Sequence, residues 1–458
     1  MCPEAEFSRE ELIAIILELR AIIAALQAEV AALTAENARL REELEKKGGP
    51  PSWAKANTPT REKQPRKKRA KGASRKCVAD ADQTIEHAVD VCPKCGQTLT
   101  GGWEESTRET LVFPTEPVRV VRHRCMARRC GVCGTVVVGH PDPVAHGLVG
   151  QHRVDARGMS LIAYWHLVCR IPLRIIQQLL QRMCSCTLSL GALRYLLDDV
   201  ATRGAPDYHR LREEIRGSPV VHQDETGWRE NGKNGYVWAA VTDAVRYFER
   251  HGTRSGSVPK AMLGPDFCGV VVCDGYGGYD GLGCQLQRCW THLLRKGHDL
   301  KTRHPDAADA RAWVEGVRAI YDDAKALIAS SGYADLAEHL REARRLAFER
   351  RVLAHVQPAL GSPIKEQARL AKFLTRKINE LFVFVHYPEV PSENNPAERA
   401  IRPLVITRKV CGGTRSEKGS KSKMILLSLL HTAHVRGLDP ITSLEQMLLG
   451  TPMFPASA

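Results

Sequence analysis

Four consecutive apolar residues, Val270–Cys273, run straight into an aspartate and a cluster of glycines, CDGYGGYDGL. An unbroken apolar run of this length belongs to a strand buried on both faces, because a strand with one wet face alternates apolar and polar residues. The run must therefore lie inside a sheet, with Asp274 at its exit. Partner strands are legible upstream, after Pro219. VVHQDETGW alternates and ends in polar residues, RENGKNG carries two Asn-Gly turn signals, and YVWAAVT and VRYFER continue an antiparallel meander. A short helical stretch separates this meander from the buried run.

Asp224 and Asp274 thus fall near the ends of two strands of one small sheet. A third acid is offered by PSENNPAERAIRPLVITRKV, residues 391–410, where SENN is expected to cap a helix, Pro396 suits its first turn and Glu398 follows. In an RNase H-like arrangement the first and fourth strands lie side by side and a later helix brings the third acid to them. Three carboxylates suit phosphodiester chemistry, which needs an activated hydroxyl and a stabilised leaving oxygen; two Mg²⁺ ions about 3.5–4 Å apart on hard oxygen ligands supply both. Asp224 is the candidate bridging ligand, with Asp274 and Glu398 each completing one metal. Singly, each acid has a plainer explanation: a strand end for Asp224, a turn for Asp274, an ion pair with Arg402 for Glu398.

The formal net charge of +14 over 458 residues favours a polyanionic partner, most simply nucleic acid. No basic-then-apolar leader opens the chain and no apolar run approaches the roughly 20 residues of a membrane span, so a soluble, cytoplasmic protein without a membrane partner is expected. Residues 8–47 carry leucines at heptad spacing (Leu12, Leu19, Leu26, Leu33, Leu40), with Ile16, Ile23, Val30, Asn37 and Leu44 on the other seam. That pattern predicts a parallel coiled-coil homodimer, the alternative being a helix packed on its own chain. Residues 48–76 are expected to form a disordered linker rich in Gly, Pro and Ser, whose basic run includes Arg66, Lys67, Lys68 and Arg69 and suits either lying along phosphates or a solvated linker with no partner.

The fifteen cysteines are an odd number in a chain too large to need disulfide staples. CPKCG and CGVCG, separated by strand-like sequence, predict a zinc ribbon over residues 77–140, with Cys92, Cys95, Cys130 and Cys133 as Zn²⁺ ligands in a closed structural site and Cys77 and Cys125 as nearby spares. Residues 141–217 contain three expected helices between residues 156 and 203, which fit either a helix-turn-helix reader of DNA or a small architectural bundle. CWTH sets Cys289 and His292 three apart on one helical face, where the residues alone read as an ordinary buried cysteine and a hydrogen-bonded histidine. His222 shares a strand face with Asp224. Around Glu398 the basic residues Arg399, Arg402, Arg408, Lys409, Arg415, Lys418, Lys421 and Lys423 are expected to contact the DNA backbone in part, and Gly412 and Gly413 to let backbone approach phosphate.

DETGWRENGKNGYVW, CDGYGGYDGL with QRCWTHLLRKGHDL, and SENNPAERAIRPLVITRKVCGGTRSEKGS resemble the signature blocks of insertion sequence 66 family transposases. The heptads, paired knuckles and helical segment resemble the amino-terminal half of that family. The resemblance implies a multidomain α+β protein: coiled coil, zinc ribbon, helical DNA-binding segment, and an RNase H-like α/β core with a DDE triad on Asp224, Asp274 and Glu398. It further implies an all-helical insertion over residues 306–385 between core parts 218–305 and 386–437, and a tail over 438–458. The implied activity is Mg²⁺- or Mn²⁺-dependent cleavage and strand transfer at the element's inverted repeats, in the bacterial cytoplasm or nucleoid, with double-stranded DNA and accessory proteins of the same element as partners. Related transposases carry a Cys-x-x-His pair where Cys289 and His292 stand, which implies that these two support the acidic site; Glu393 stands where the family often has Asp. Rival readings are an RNase H-like nuclease or resolvase that does not join strands, and an inert DNA-binding regulator.

Overall fold

The computed structural model describes residues 140–454 continuously, together with residues 23, 24, 27, 28, 30–36, 39, 94–98, 118–129, 133 and 136–138. The chain divides into two units, residues 1–111 and 112–458. In the first, the described heptad residues are helical, with Ile23, Val30 and Leu33 exposed. The rest of the expected coiled coil and the basic linker lie outside the described residues.

The second unit opens with a two-strand antiparallel pair, β1 (Ala127–Arg129) and β2 (Val136–Val138). Four helices follow: α1 (Ala156–Leu167), α2 (Leu173–Cys184), α3 (Leu190–Arg203) and α4 (Ala205–Arg216). Three of them match the helices expected between residues 156 and 203; α4 was not foreseen. Its Tyr208 is buried, stacks on Tyr247 at 4.6 Å and donates its hydroxyl to the Phe248 carbonyl, so α4 belongs to the sheet that follows.

That sheet has five strands, β3 (Val220–Glu230), β4 (Lys233–Val241), β5 (Arg246–His251), β6 (Val270–Cys273) and β7 (Gln285–Arg288), with α5 (Ser257–Leu263) crossing between β5 and β6. Their spatial order is β5-β4-β3-β6-β7. The β3–β4–β5 meander is antiparallel, whereas β6 runs parallel to both β3 and β7. The first and fourth strands therefore lie side by side. All four residues of β6 are buried: Val271 and Cys273 face the main core, and Val270 and Val272 face Val383 and Val390 on the other side. Of the two Asn-Gly signals only the first is a turn. Glu230 pairs with Lys233 across Asn231 (φ 49°) and Gly232 (φ 78°), both left-handed as a two-residue type I′ turn needs. Asn234-Gly235 continues β4, where a Cβ on Gly235 would meet the His251 carbonyl at 2.8 Å.

Beyond β7 come α6 (Trp290–Arg303), α7 (Ala308–Ile328), α8 (Glu338–Val356), α9 (Lys365–Arg376) and the short α10 (Val383–His386). They enclose a core of their own, including Trp313, Tyr321, Phe348 and Phe382, in which Trp290 and Leu293 of α6 also take part. The chain returns through α11 (Asn395–Cys411) and α12 (Glu417–Val435). Pro396 lies in the first turn of α11 and left-handed Gly412 (φ 71°) ends it, the usual asymmetry of helix starts and stops. Helix α12 covers the outer edge of the sheet: Ser428 accepts the N–H of Phe248, and Thr432 accepts that of Arg246, each at 3.0 Å. An edge strand whose donors are satisfied in this way does not offer them to another chain. Residues 438–454, expected as a tail, instead contain α13 (Pro440–Leu448), capped by Asp439 and buried through Leu444 and Leu448. Helices α1–α4, the sheet and α11–α13 share one hydrophobic core.

Candidate active site

Asp224 lies within β3, and the parallel register with β6 fixes what is beside it. Val220 pairs with Val270 and His222 with Val272, so Asp224 and Asp274 each stand two residues beyond the last paired residues. Asp274 lies just past the end of β6, whereas Asp224, expected near a strand end, lies inside β3, which continues to Glu230. Asp274 opens the loop after β6, its Oδ1 accepting the N–H of Tyr276 at 2.8 Å. Glu398 lies in the first turn of α11, half-buried. The Asp224 carboxyl, whose Oδ1 accepts the N–H of Glu225 at 2.9 Å, is pushed up to about 7, first by burial, then by the charges of Glu225, Asp274 and Glu398. The three acids expected from the sequence thus meet in one electrostatic neighbourhood. A fourth acid beside them, Glu225, is already committed: its carboxyl accepts from Arg254 Nε at 2.7 Å and from the Tyr279 hydroxyl at 2.6 Å.

Helix α11 is held against β3 by Asn394. SENN was expected to cap the helix, but the N-cap residue Asn394 makes no side-chain cap bond. Its amide instead donates to the Gln223 carbonyl at 2.7 Å, which leaves its oxygen to accept from His222 Nδ1 at 3.0 Å. Burial first of all holds His222 down at about 4, so it is neutral and donates from Nδ1. The backbone N–H of Asn394 donates to Cys289 Sγ at 3.2 Å. Cys289 is the buried N-cap residue of α6, and His292 lies in the first turn of that helix with Nδ1 3.6 Å from Glu398 Oε1. Neither atom has a hydrogen-bond partner, and both are buried. Glu398 therefore faces His292 and is not paired with Arg402.

Arg288, which the sequence did not single out, lies beside this site. Only 1% of its side chain is exposed, yet it ties the loop of Asp274 in place. One terminal nitrogen donates to the carbonyls of Asp274 (2.9 Å) and Tyr276 (3.1 Å), the other reaches Asp280 at 2.5 Å, and Nε reaches Glu380 at 2.5 Å. The available signal was a charged residue ending a strand, directly before CWTH.

The basic residues divide sharply. Arg399, Arg402, Lys409, Arg415, Lys418 and Lys421 are exposed. Arg408 is half-buried and donates to the Gly227 carbonyl, bracing β3. Lys423 is buried, 5.8 Å over the Trp228 ring, so the expectation that it grips DNA is corrected: its place is in the core. Gly413 (φ 116°) does approach backbone closely, but that of this chain: a Cβ there would collide with the Arg229 carbonyl. Cys95 and Cys133 are exposed, while Cys92, Cys130 and Arg66, Lys67, Lys68 and Arg69 lie outside the described residues.

The molecule is thus a mixed α/β protein with a five-strand sheet whose adjacent parallel strands bring Asp224 and Asp274 near each other, beside a helix whose outer face carries exposed basic residues. The chain belongs to the IS66 transposase family: a family model described as "Transposase IS66 family" matches residues 151–422, more than half of the chain. It is also similar to three Sinorhizobium fredii proteins described as uncharacterized. One, y4jD, is 26% identical over 401 residues, which is 80% of this chain and 76% of y4jD. Another, y4qI, is 27% identical over 269 residues, covering 52% and 49% of the two chains, and y4hP is 21% identical over 397 residues, covering 78% and 68%. Among the described residues, no helix is long and apolar enough to cross a membrane.

Proposed function

We propose that the transposase acts as a DDE enzyme on an RNase H-like core, cutting DNA at the terminal inverted repeats of its element and joining the ends to a new site. The observation that most supports this is that Asp274, directly after the strand parallel to β3, and Glu398 both lie near enough to Asp224 to bias its ionisation. The strand order, with first and fourth strands adjacent, agrees with the RNase H-like reading.

By donor type the set, three carboxylates, fits a hard divalent cation, Mg²⁺ or Mn²⁺. Asp224, Asp274 and Glu398 would hold it, and when bound it supplies activation of the attacking hydroxyl and charge stabilisation of the leaving oxygen. Asp224 must lose its proton to become a ligand. Arg288 holds the Asp274 loop, and Asn394 keeps the helix of Glu398 at the edge of β3. Exposed Arg399, Arg402, Lys409 and Arg415 contact phosphates and set the register of the duplex without reading bases. The basic run Arg66–Arg69 adds to this grip. The heptad helices join two copies, and accessory proteins of the element complete the assembly.

The reading is tested with a labelled duplex carrying the gene's own flanking repeat, against a duplex with that repeat scrambled. Joined product from the authentic end alone supports the transposase reading. Nicking without joining would favour a nuclease, and binding without cleavage an inert regulator.

A further inference from the structure

We propose that Cys289, His292 and Glu398 form a binding site for a borderline divalent metal ion of the zinc class, separate in donor chemistry from the three-carboxylate set. The proposal goes beyond the transposition reading and does not depend on it, since it concerns ion binding alone.

The ligand atoms of these three residues all lie within 4.8 Å of one another. His292 Nδ1 and Glu398 Oε1 are both buried and both lack a hydrogen-bond partner, although they face each other at 3.6 Å. That separation is too long for a hydrogen bond, for which about 2.7–3.2 Å is required. It suits two donors of one tetrahedral ion: with each about 2.0–2.1 Å from the metal, they stand about 3.4 Å apart. Two buried polar atoms without partners are unfavourable, a penalty that a shared ion removes.

Cys289 supplies the chemical preference. A thiolate, an imidazole and a carboxylate select zinc or cobalt over magnesium, because the soft sulfur and the nitrogen match a borderline ion and not a hard one. The sulfur also has an outer-shell contact, the N–H of Asn394 at 3.2 Å, of the kind that orients a metal ligand. Cys289 ends one connection and begins α6: its N–H donates to the Cys273 carbonyl at 2.8 Å, and the N–H of Trp290 donates to Ser392 at 3.0 Å. The site is therefore built on the junction of β6, α6 and α11. Three protein ligands leave the fourth position of a tetrahedral ion to water, the pattern of an open site and not of a closed structural one. Because Glu398 belongs to both donor sets, a zinc-class ion would compete for it with Mg²⁺.

The test uses the purified full chain, stripped of metal and titrated with Co²⁺, whose spectrum reports sulfur and nitrogen ligation. Wild type is compared with His292→Ala, Cys289→Ser and Glu398→Gln, so that cobalt on any other cysteines cancels in the difference. The expected result is loss of about one bound Co²⁺ per chain in every variant, at least a tenfold weaker affinity for that equivalent, and loss of thiolate-to-cobalt absorption in Cys289→Ser. His292 is half-buried in the first turn of α6, so its replacement leaves the fold intact and guards against a misfolded cysteine variant. Equal stoichiometry and spectra in wild type and His292→Ala would overturn the site. So would loss in Glu398→Gln with Cys289→Ser unchanged. Mg²⁺-dependent joining is scored separately, so that failure of either claim leaves the other readable.

Discussion

Asn394 donates its side-chain amide to the carbonyl of Gln223 at 2.7 Å, and through that bond the helix of Glu398 is fixed to the strand of Asp224. The residues are 171 apart in sequence, and both are fully buried. The bond from His222 to the same side chain extends the hold along β3 by one residue.

Asn394→Ala removes both bonds and leaves the Gln223 carbonyl and the His222 donor unpaired in the core. The expected loss is about 2–3 kcal/mol of stability, from two buried groups left unsatisfied. A denaturant midpoint measured at pH 7 checks this. Asn394→Asp should also lose stability, since a carboxylate cannot donate to Gln223.

The ionisation of Asp224 predicts how the metal-free protein responds to pH. Its ordinary value is 3.8, and the folded site raises it to about 7. Between these values the folded state holds a proton that the unfolded chain has lost, so stability falls as pH rises from about 4 to about 7 and is level above. Asp224→Asn removes the titration. With chelator present, the variant should be more stable than wild type at pH 8, by about 1–3 kcal/mol, and nearly equal at pH 4.5. Thermal melts at the two pH values are sufficient; a variant less stable at pH 8 would contradict the assignment.

Removing the Arg288 guanidinium takes the donor from two carbonyls and leaves Asp280 and Glu380 to Lys377 alone, whose Nζ lies 2.8 and 3.1 Å from them. Asp280 and Glu380 are 40% and 23% exposed and recover some hydration, so Arg288→Met should cost about 3 kcal/mol, the low end for breaking a buried pair. Arg288→Lys keeps the charge but cannot span all four acceptors. It should fold with a smaller loss of stability and still depress joining, because the Asp274 loop is no longer fixed. A melt and a joining assay on the same preparation separate the two effects.

Exposed and buried basic residues should behave differently on DNA. Replacing Arg402 or Lys409 with Gln should weaken binding to authentic and scrambled ends alike, and reduce the salt slope of log K by about 1 for each phosphate that is no longer neutralised. Lys423→Met should leave the slope unchanged, since its ammonium group lies buried against Trp228. Binding isotherms at several salt concentrations decide between the two behaviours.

Much of this architecture is legible in the sequence where the signal is local and periodic. The apolar run of β6, the first Asn-Gly turn and Pro396 at the start of α11 all stand where the residues themselves indicate. The nearness of Asp224 and Asp274 follows from the adjacency of β3 and β6, which a buried strand beside a meander already suggests. What the residues do not disclose is which polar groups meet after the elements pack. Asn394 looks like a helix cap, yet it serves a strand 171 residues away; Arg288 looks like a surface charge at a strand end, yet it is buried. Lys423 reads as part of a basic surface because composition does not reveal which face of α12 is inward. The second Asn-Gly pair reads as a turn because its dipeptide is identical to the first, and only the close approach of Arg250 and His251 explains a glycine inside β4. Helix α13 carries local signals, an Asp439 cap, Pro440 in the first turn and Ile441, Leu444, Met447 and Leu448 at helical spacing, but its partner, α1, lies far away in sequence.

The most direct test of the central claim is strand joining on a labelled duplex of the element's own end, with Mg²⁺, for wild type and for Asp224→Asn, Asp274→Asn and Glu398→Gln. The account predicts joined product with wild type and at least a thousandfold loss with each variant, roughly 4 kcal/mol of barrier, while binding of the duplex is kept. Joining that survives in any one of the three would contradict the assignment of that acid, and joining that survives in all three would contradict the account.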